Sequence, residues 1–570
     1  MPAAQSHSTD SQDRVRPLAW LTAYQAGWLA ADCVAGVTLA AYAVPVALAY
    51  ATLAGLPPQV GVYGYLLGGI GYALLGSSRQ LAIGPTSAIS LLVGASIAPI
   101  AAGDPLRFAQ VASLVALLVA ALAAIGFALR LSTLINFISD TILVGFKAGA
   151  GLSIAMTQLP NALGVAGGGD HFFARLATLA GQLGDANPAV VAVSLIALLL
   201  LLAGDRWLPG RPVALAVVVL SIVATAWLGL PAHGVATVGT IPAGLPSLGL
   251  PGIRLRDVDG VLPLAGACLL LGYIESVSAA RALARKQGYD VDVRRELLAL
   301  GGANLAVALG HGYPVAGGLS QSVVNEKAGA RSPAALLVAS LMLGLALVFL
   351  TDALRTLPKA VLAAIVLVAV TGLIDLREIA RLRRASRLEF RVAITALIGV
   401  LLLGILKGVL LAVVASILLL LQRAAAPHVA VLGRIPGTRR FSDRQRNPDN
   451  QAVDGVLMVR VEASLMYFNV DNVLREILAR ARGQQPPVRL VIVDLSTSPY
   501  VDLAGARMLN RLAADLAAQG VGLRLAEAHA AVRDVLRAEG LEAAAGPISR
   551  RTTVADLVDA FQAPAASTTG

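Results

Sequence analysis

Two short stretches of this chain set hydroxyl-bearing residues beside a glycine break inside apolar sequence. The first is Leu81-Ala-Ile-Gly-Pro-Thr-Ser-Ala-Ile-Ser90 and the second is Pro314-Val-Ala-Gly-Gly-Leu-Ser-Gln-Ser322. Each reads as a short extended run, a flexible break and then a helix start. Pro85 suits a first helical turn, where its missing N–H costs nothing. A helix start inside a membrane offers free N–H groups and the positive end of a dipole, which together make an anion site. About 235 residues separate the two stretches, roughly half of the apolar region. Interrupted segments at corresponding places in two halves of a transporter point to a midplane site. Either stretch alone could instead be a kink with small residues at a helix crossing.

A third feature is Glu275, in Leu271-Gly-Tyr-Ile-Glu-Ser-Val-Ser278. An ionisable group at membrane depth is costly and usually functional. It could take up H+ or coordinate Na+, with Ser276 and Ser278 as oxygen donors. The plainer readings are a helix-end carboxylate reaching water and serines packing between helices. Asp140 and Lys147 lie seven residues apart, nearly on one helical face. Lys147 either attracts an anion or snorkels to the interface. Pro45, in Tyr42-Ala-Val-Pro-Val46, either frees a carbonyl for a substrate or simply kinks its segment.

The elements that must hold these residues follow from composition. The chain is 57% hydrophobic and 14% charged, against about a quarter charged in soluble chains. Its mean hydropathy is +0.74. Lipid is therefore the solvent for most of it, and helices or a closed barrel are the only spanning options. Long unbroken apolar runs such as Val190–Ala203 and Val213–Leu230 favour helices. The net charge of +11 does not imply a nucleic-acid partner, because the basic residues cluster in short loops between apolar runs. The two cysteines, Cys33 and Cys268, and six scattered histidines form no metal-ligand spacing. No cofactor and no enzymatic activity are expected.

Fourteen apolar segments are expected, near 30–50, 59–76, 85–100, 108–129, 134–157, 189–203, 212–230, 261–280, 295–310, 319–329, 333–351, 358–373, 390–405 and 408–422. Lys and Arg gather in the loops after the sixth, eighth and twelfth, which predicts a cytoplasmic N-terminus and an even number of crossings. The domain expectation is a cytoplasmic N-terminal tail over 1–28, a transmembrane transport domain over 29–422 and a linker over 423–451. A soluble α/β domain over 452–563 and a C-terminal tail over 564–570 complete it. In that soluble part, strands at Gly455–Glu462, Arg489–Leu495 and Gly522–Ala526 alternate with helices near 469–482, 504–518, 529–539 and 553–562. Such alternation predicts one sheet covered by helices.

Three motifs resemble a known family. Val44-Pro-Val-Ala-Leu-Ala-Tyr-Ala-Thr-Leu-Ala-Gly-Leu-Pro-Pro-Gln-Val-Gly-Val-Tyr63 with Gly76-Ser-Ser-Arg-Gln-Leu-Ala-Ile-Gly-Pro-Thr86 resembles the signature of the sulfate permease (SulP) family of anion transporters. Gly317-Gly-Leu-Ser-Gln-Ser-Val-Val-Asn-Glu-Lys-Ala-Gly-Ala-Arg-Ser-Pro333 resembles its tenth-span motif, and Val491-Ile-Val-Asp-Leu495 with Val501-Asp-Leu-Ala-Gly505 resembles a STAS domain. The resemblance implies an α-helical membrane protein of about fourteen segments in two inverted repeats of seven. A core domain would move against a gate domain in elevator fashion. The implied substrate lining is Tyr42, Val46, Thr86, Ser87, Ser320 and Gln321, with Glu275 and Ser276 at a coupling-ion site. It also implies a homodimer in a bacterial inner membrane, bathed in lipid, with a cytoplasmic STAS domain that could take a protein partner.

The chain departs from the family pattern in three places. Many relatives have Gln where Val46 stands and Arg where Gln321 stands, so a polar contact and a fixed positive charge are missing here. The loop Asp502-Leu-Ala-Gly505 lacks the serine that is phosphorylated in anti-sigma antagonists. The expected function is secondary active transport of a small anion, of the bicarbonate, sulfate or dicarboxylate class, coupled to H+ or Na+. The alternatives are an uncoupled exchanger or channel, and a membrane sensor or scaffold signalling through the STAS domain.

Overall fold

The computed structural model describes residues 17–101, 103–130, 140–169, 171–208, 212–252 and 254–563. Most of the expected N-terminal tail and the C-terminal tail lie outside the described residues, as does the side chain of Asp140. The chain divides into two compact units, Met1–Ser416 and Ile417–Gly570.

The first unit is helical. Its helices are α1 (Leu29–Leu53), α2 (Pro58–Leu75), α3 (Ser87–Ala101), α4 (Pro105–Ala128), α5 (Asp140–Leu163), α6 (Phe172–Gln182), α7 (Pro188–Trp207) and α8 (Val213–Leu228). There follow α9 (Leu255–Gln287), α10 (Val293–Leu309), α11 (Leu319–Lys327), α12 (Ala334–Phe349), α13 (Thr351–Leu354), α14 (Lys359–Thr371), α15 (Leu376–Ala385) and α16 (Arg387–Leu403). The helix α17 (Ile405–Ala425) runs across the boundary between the units. Each of the fourteen apolar segments overlaps one of these helices, and the first part of the fifth, 134–139, lies outside the described residues. Among the described residues, six helical stretches are long and apolar enough to cross a membrane on length and composition.

Burial explains why the apolar pattern is nearly featureless. On α7, Val190, Ser194, Ala197, Leu201 and Gly204 recur every three or four residues and face protein. Leu195, Ile196, Leu199 and Leu202 on its other side are exposed. In water that face would be polar, but in lipid apolar side chains suit it. Sequence gave no warning of α6 and α15. Both are short and amphipathic, so no long apolar run marks them.

The helices sort into two groups by packing. One contains α1–α4 and α9–α12, with α2 and α4 both packed closely on α10 and α1 on α12. The other contains α5–α7 and α14–α16, built around the contacts of α5 with α14 and α16. The two groups meet where α1 touches α14 and where α3 touches α5 and α14.

Within the first group, two strands of two residues each, β1 (Ile83–Gly84) and β2 (Ala316–Gly317), pair antiparallel, with Ile83 opposite Gly317. Each leads into a half-length helix, β1 into α3 and β2 into α11. Gly84 is required because a Cβ there would collide with the Tyr65 ring.

The second unit carries a five-stranded sheet. Its strands are β3 (Val429–Arg434), β4 (Phe441–Asp443), β5 (Val456–Val461), β6 (Leu490–Asp494) and β7 (Gly522–Ala526), in the order β4-β3-β5-β6-β7. The run β5-β6-β7 is parallel, and β3 is antiparallel to both neighbours. Helices α18 (Val470–Gly483), α19 (Leu503–Ala517), α20 (Ala530–Ala538), α21 (Glu542–Ala545) and α22 (Val554–Gln562) cover it. All three expected strands and all four expected helices are present within about two residues.

The expected linker over 423–451 is different from that reading, because β3 and β4 form a hairpin inside it. Its alternating Val429, Val431 and Ala430, Leu432 pack on opposite faces of the sheet. Arg434 and Arg439 of this hairpin pair with Asp559 and Asp556 of α22. These exposed pairs are worth little. The capping box in which Thr553 and Asp556 bond reciprocally fixes the start of α22. Its hydrogen bonds hold the Asp556 carboxyl below the usual carboxylate range.

Candidate anion site

The β1–β2 pair has open edges at membrane depth, where each unpaired backbone group is expensive. Side chains close them. Asn304 on α10 accepts from Val315 N at 3.0 Å and donates to Val315 O at 3.0 Å. Ser276 on α9 accepts from Gly317 N at 2.8 Å and donates to Gly272 O at 2.6 Å. Ser322 accepts from Ala82 N at 2.9 Å. Gln321 donates to Ala82 O at 2.9 Å and to Ala316 O at 3.2 Å, and its carbonyl oxygen accepts from the Tyr65 hydroxyl. These bonds lock the two strands together and set where α3 and α11 begin.

Thr86 is the N-cap of α3, with its carbonyl accepting from Ser90 N at 2.9 Å. The helix thus starts at Ser87 rather than at Pro85. Gly318 is the N-cap of α11 and makes no side-chain cap. The first N–H groups of both helices have no helical acceptor by construction.

Both starts open onto one cavity of about 230 Å3. Tyr42 and Tyr50 of α1 line it, with Thr86 and Ser87 on one side and Ser320 and Gln321 on the other. Glu275, Ser278 and Ala282 of α9 also line it, as do Lys147 of α5, Ala369 of α14 and Leu373. The second helix group therefore supplies Lys147, Ala369 and Leu373, and the first supplies the rest.

The Thr86 hydroxyl is buried and approaches the Glu275 carboxyl, but makes no hydrogen bond of good geometry within the protein. It is an unpartnered polar atom at the cavity edge, where a ligand oxygen could meet it. Glu275 and Lys147 are within electrostatic range of each other. The cavity thus combines two helix N-termini, several hydroxyls, one carboxyl and one ammonium group. Such a set has the chemistry to hold an anion at the helix starts and a cation at the carboxyl.

Six of the eight residues expected at the site line this cavity: Tyr42, Thr86, Ser87, Glu275, Ser320 and Gln321. Val46 and Ser276 do not. Val46 is packed in the apolar core, and the Ser276 hydroxyl is engaged by backbone. Gln321 reaches the cavity, but its amide is committed to the strands. Sequence reasoning passed over Tyr50, although a tyrosine two helical turns after Tyr42 on the same helix was the available signal. It could not have found Ala369 or Leu373, which have no polar group.

Ser276 gives a direct test of the strand bracing. Ser276→Ala leaves Gly317 N–H buried without an acceptor, at a cost of about 1–3 kcal/mol. A lower thermal midpoint and weaker anion binding are expected in detergent-purified protein. Unchanged values in both would show that β2 does not depend on this hydroxyl.

The comparisons with known proteins agree with this architecture. The family model described as the sulfate permease family matches residues 29–396, and the STAS domain model matches residues 447–555. A probable sulfate transporter of Mycobacterium tuberculosis is 36% identical over 541 residues, which is 95% of this chain and 96% of that protein. The chloroplastic sulfate transporter 4.1 of Arabidopsis thaliana is 33% identical over 514 residues, 86% of this chain and 74% of that one. Among solved structures, the murine solute carrier 26 family member A9 anion transporter in its inward-facing state superimposes with a TM-score of 0.85. It is 23% identical, with 95% of this chain and 93% of that chain covered. The transmembrane domain of the cyanobacterial bicarbonate transporter BicA gives a TM-score of 0.60 at 24% identity, covering 69% of this chain and 98% of that chain. These two share the fold. The chain belongs to the sulfate permease family: it is an integral membrane anion transporter with a C-terminal STAS domain, and not an enzyme.

Proposed function

We propose that this protein is a secondary active transporter of a small oxyanion, with sulfate the first substrate to test. The observation that carries the reading is the convergence of two helix N-termini on a cavity that also holds Glu275. The anion docks on the N–H groups near Thr86 and Ser320. A cation, H+ or Na+, enters at Glu275 and removes the negative charge that would repel the substrate. The group containing α3, α9 and α11 carries the site, and the group containing α5 and α14 supplies the facing wall. Motion of one group against the other, elevator fashion, exposes the site to each side in turn. The Lys and Arg bias of the loops supports a cytoplasmic tail domain in a bacterial inner membrane. Sulfate is placed first because the Mycobacterium and Arabidopsis relatives are described as sulfate transporters. Bicarbonate comes next, since it is the substrate in the description of the cyanobacterial structure.

Uptake of labelled sulfate, bicarbonate, fumarate and chloride into proteoliposomes, with and without an inward H+ or Na+ gradient, tests this. One oxyanion should accumulate above its equilibrium level only with one gradient. Equal flux of that anion with no gradient would contradict coupling, and no uptake by folded protein would contradict the oxyanion reading.

A further inference from the structure

The short helix α15 has no part in the cavity. It starts afresh after α14, with the Asp375 carboxyl capping it by accepting from Glu378 N at 2.9 Å. Its ten residues reach about 15 Å, roughly half of the hydrocarbon core. The helix therefore lies at the membrane edge, between the apolar α14 and α16, and does not cross.

Its two faces differ. Leu376, Ile379 and Leu382 share one face. Leu382 is buried and Ile379 half-buried, where α15 packs on α5 and α16. Leu376 on the same face is 70% exposed, so protein covers only part of it. Arg377, Arg381 and Arg384 follow i, i+4, i+7 spacing on the opposite face. Together with Ala380 and Ala385 they line an open groove of about 460 Å3, a volume in the range of ligand sites. Arg381 pairs with Glu378 of the same helix at 3.4 Å. Arg377 and Arg384 make no ion pair among the described residues. Six arginines stand against three carboxylates from Asp375 to Arg391. Of those carboxylates, Asp375 is spent on the cap and Glu389 accepts from the Thr141 hydroxyl at 3.3 Å.

We propose that this groove binds the headgroup of an anionic phospholipid, with Arg377, Arg381 and Arg384 around its phosphate and Leu376 in the acyl layer. The proposal does not depend on which anion the central cavity carries.

The chemistry favours a lipid over a soluble anion. A short helix with arginines on one face and leucines on the other settles in the plane of the interface. Arginine stems lie along apolar surface while their guanidinium groups reach the headgroup plane. A guanidinium fork matches two phosphate oxygens. A soluble anion would use the arginines but leave Leu376 in water, whereas a lipid satisfies both faces. The charge bias of the loops assigns α15 to the cytoplasmic leaflet. Because α15 packs on α5 and α16, a lipid held there ties the second helix group to that leaflet.

Native mass spectrometry of the detergent-purified full chain tests the proposal, with phosphatidylglycerol, phosphatidylcholine and inorganic phosphate as probes. Wild type should hold phosphatidylglycerol at least about tenfold more tightly than phosphatidylcholine. Excess inorganic phosphate should not displace it. Replacing Arg377, Arg381 and Arg384 together by glutamine should weaken phosphatidylglycerol binding about 100-fold, since each basic residue near an anionic leaflet is worth about fivefold. Each single glutamine replacement should cost about fivefold, which keeps the test open where the combined variant loses thermal stability. Replacing the three by lysine keeps the charge and should retain most of the affinity. Equal binding of the two lipids would overturn the proposal. So would wild-type affinity in the glutamine variants. Displacement by inorganic phosphate would assign the groove to soluble anions and overturn the lipid reading.

Discussion

Replacing Glu275 by glutamine is expected to abolish gradient-driven accumulation of the anion while leaving anion-for-anion exchange in place. Glutamine keeps the volume of the side chain and a group able to meet Thr86, but cannot gain or lose a proton or hold a cation by charge. On the proposed mechanism, an ionised Glu275 in the wild type would repel the substrate. At an effective dielectric of about 20, two like charges about 4 Å apart cost roughly 4 kcal/mol, which is about a thousandfold in affinity. That penalty would make cation uptake a condition of anion binding. Glu275→Gln removes the penalty permanently, so uptake should lose its dependence on the gradient. Labelled-sulfate uptake into proteoliposomes checks it, by comparing the plateau with and without the gradient. A variant that still accumulates anion to the wild-type level would place the coupling site elsewhere.

The second large effect is structural. Glu296→Ala should destabilise the protein, because each buried donor left without an acceptor costs about 1–3 kcal/mol. Glu296 is 1% exposed near the start of α10. Its carboxyl accepts from the Tyr72 hydroxyl at 2.8 Å, Ser77 N at 2.9 Å, the Ser77 hydroxyl at 2.7 Å and Ser78 N at 3.1 Å. These bonds tie α10 to the turn between α2 and β1, and through it to the start of α3. Alanine leaves the Ser77 N–H, the Ser77 hydroxyl and the Tyr72 phenol without this acceptor, while Ser78 N–H keeps only the Tyr72 hydroxyl oxygen at 3.2 Å. A clear fall in the thermal midpoint of detergent-purified protein is expected, with loss of transport. Glu296→Gln keeps one acceptor oxygen and should recover part of the loss. Equal midpoints for wild type and the alanine variant would show that the network does not hold α10 to the turn.

Much of this architecture was legible because the membrane imposes it. Fourteen apolar runs became helices since an unbroken apolar run can satisfy its backbone in lipid within itself only as a helix. The glycine breaks at Gly84 and Gly317 were legible for the same reason, because interrupting a helix there requires a local device. The hairpin of β3 and β4 was not legible. Its first strand follows soon after the apolar α17, and its turn contains the Pro and Arg residues that read as a linker. In the candidate site, residues with distinctive chemistry, such as Glu275 and Thr86, stood out. Ser276 was ambiguous by type, since a serine can serve a ligand or a backbone; the contacts of Gly317 and Gly272 occupy it. Lys147 was equally ambiguous, and only the packing of α5 brought it into the lining of the cavity that holds Glu275. Asn304 went unnoticed inside an apolar run, though an amide there had to find backbone partners.

The central claim is that the anion sits between the starts of α3 and α11, and a structure with selenate tests it most directly. Selenate mimics sulfate, and its selenium scatters anomalously. The predicted result is one anomalous peak within hydrogen-bonding reach of the helix starts at Ser87 and Ser320. A peak elsewhere in the first unit, or none at this position under conditions where selenate competes with sulfate for uptake, would contradict the account.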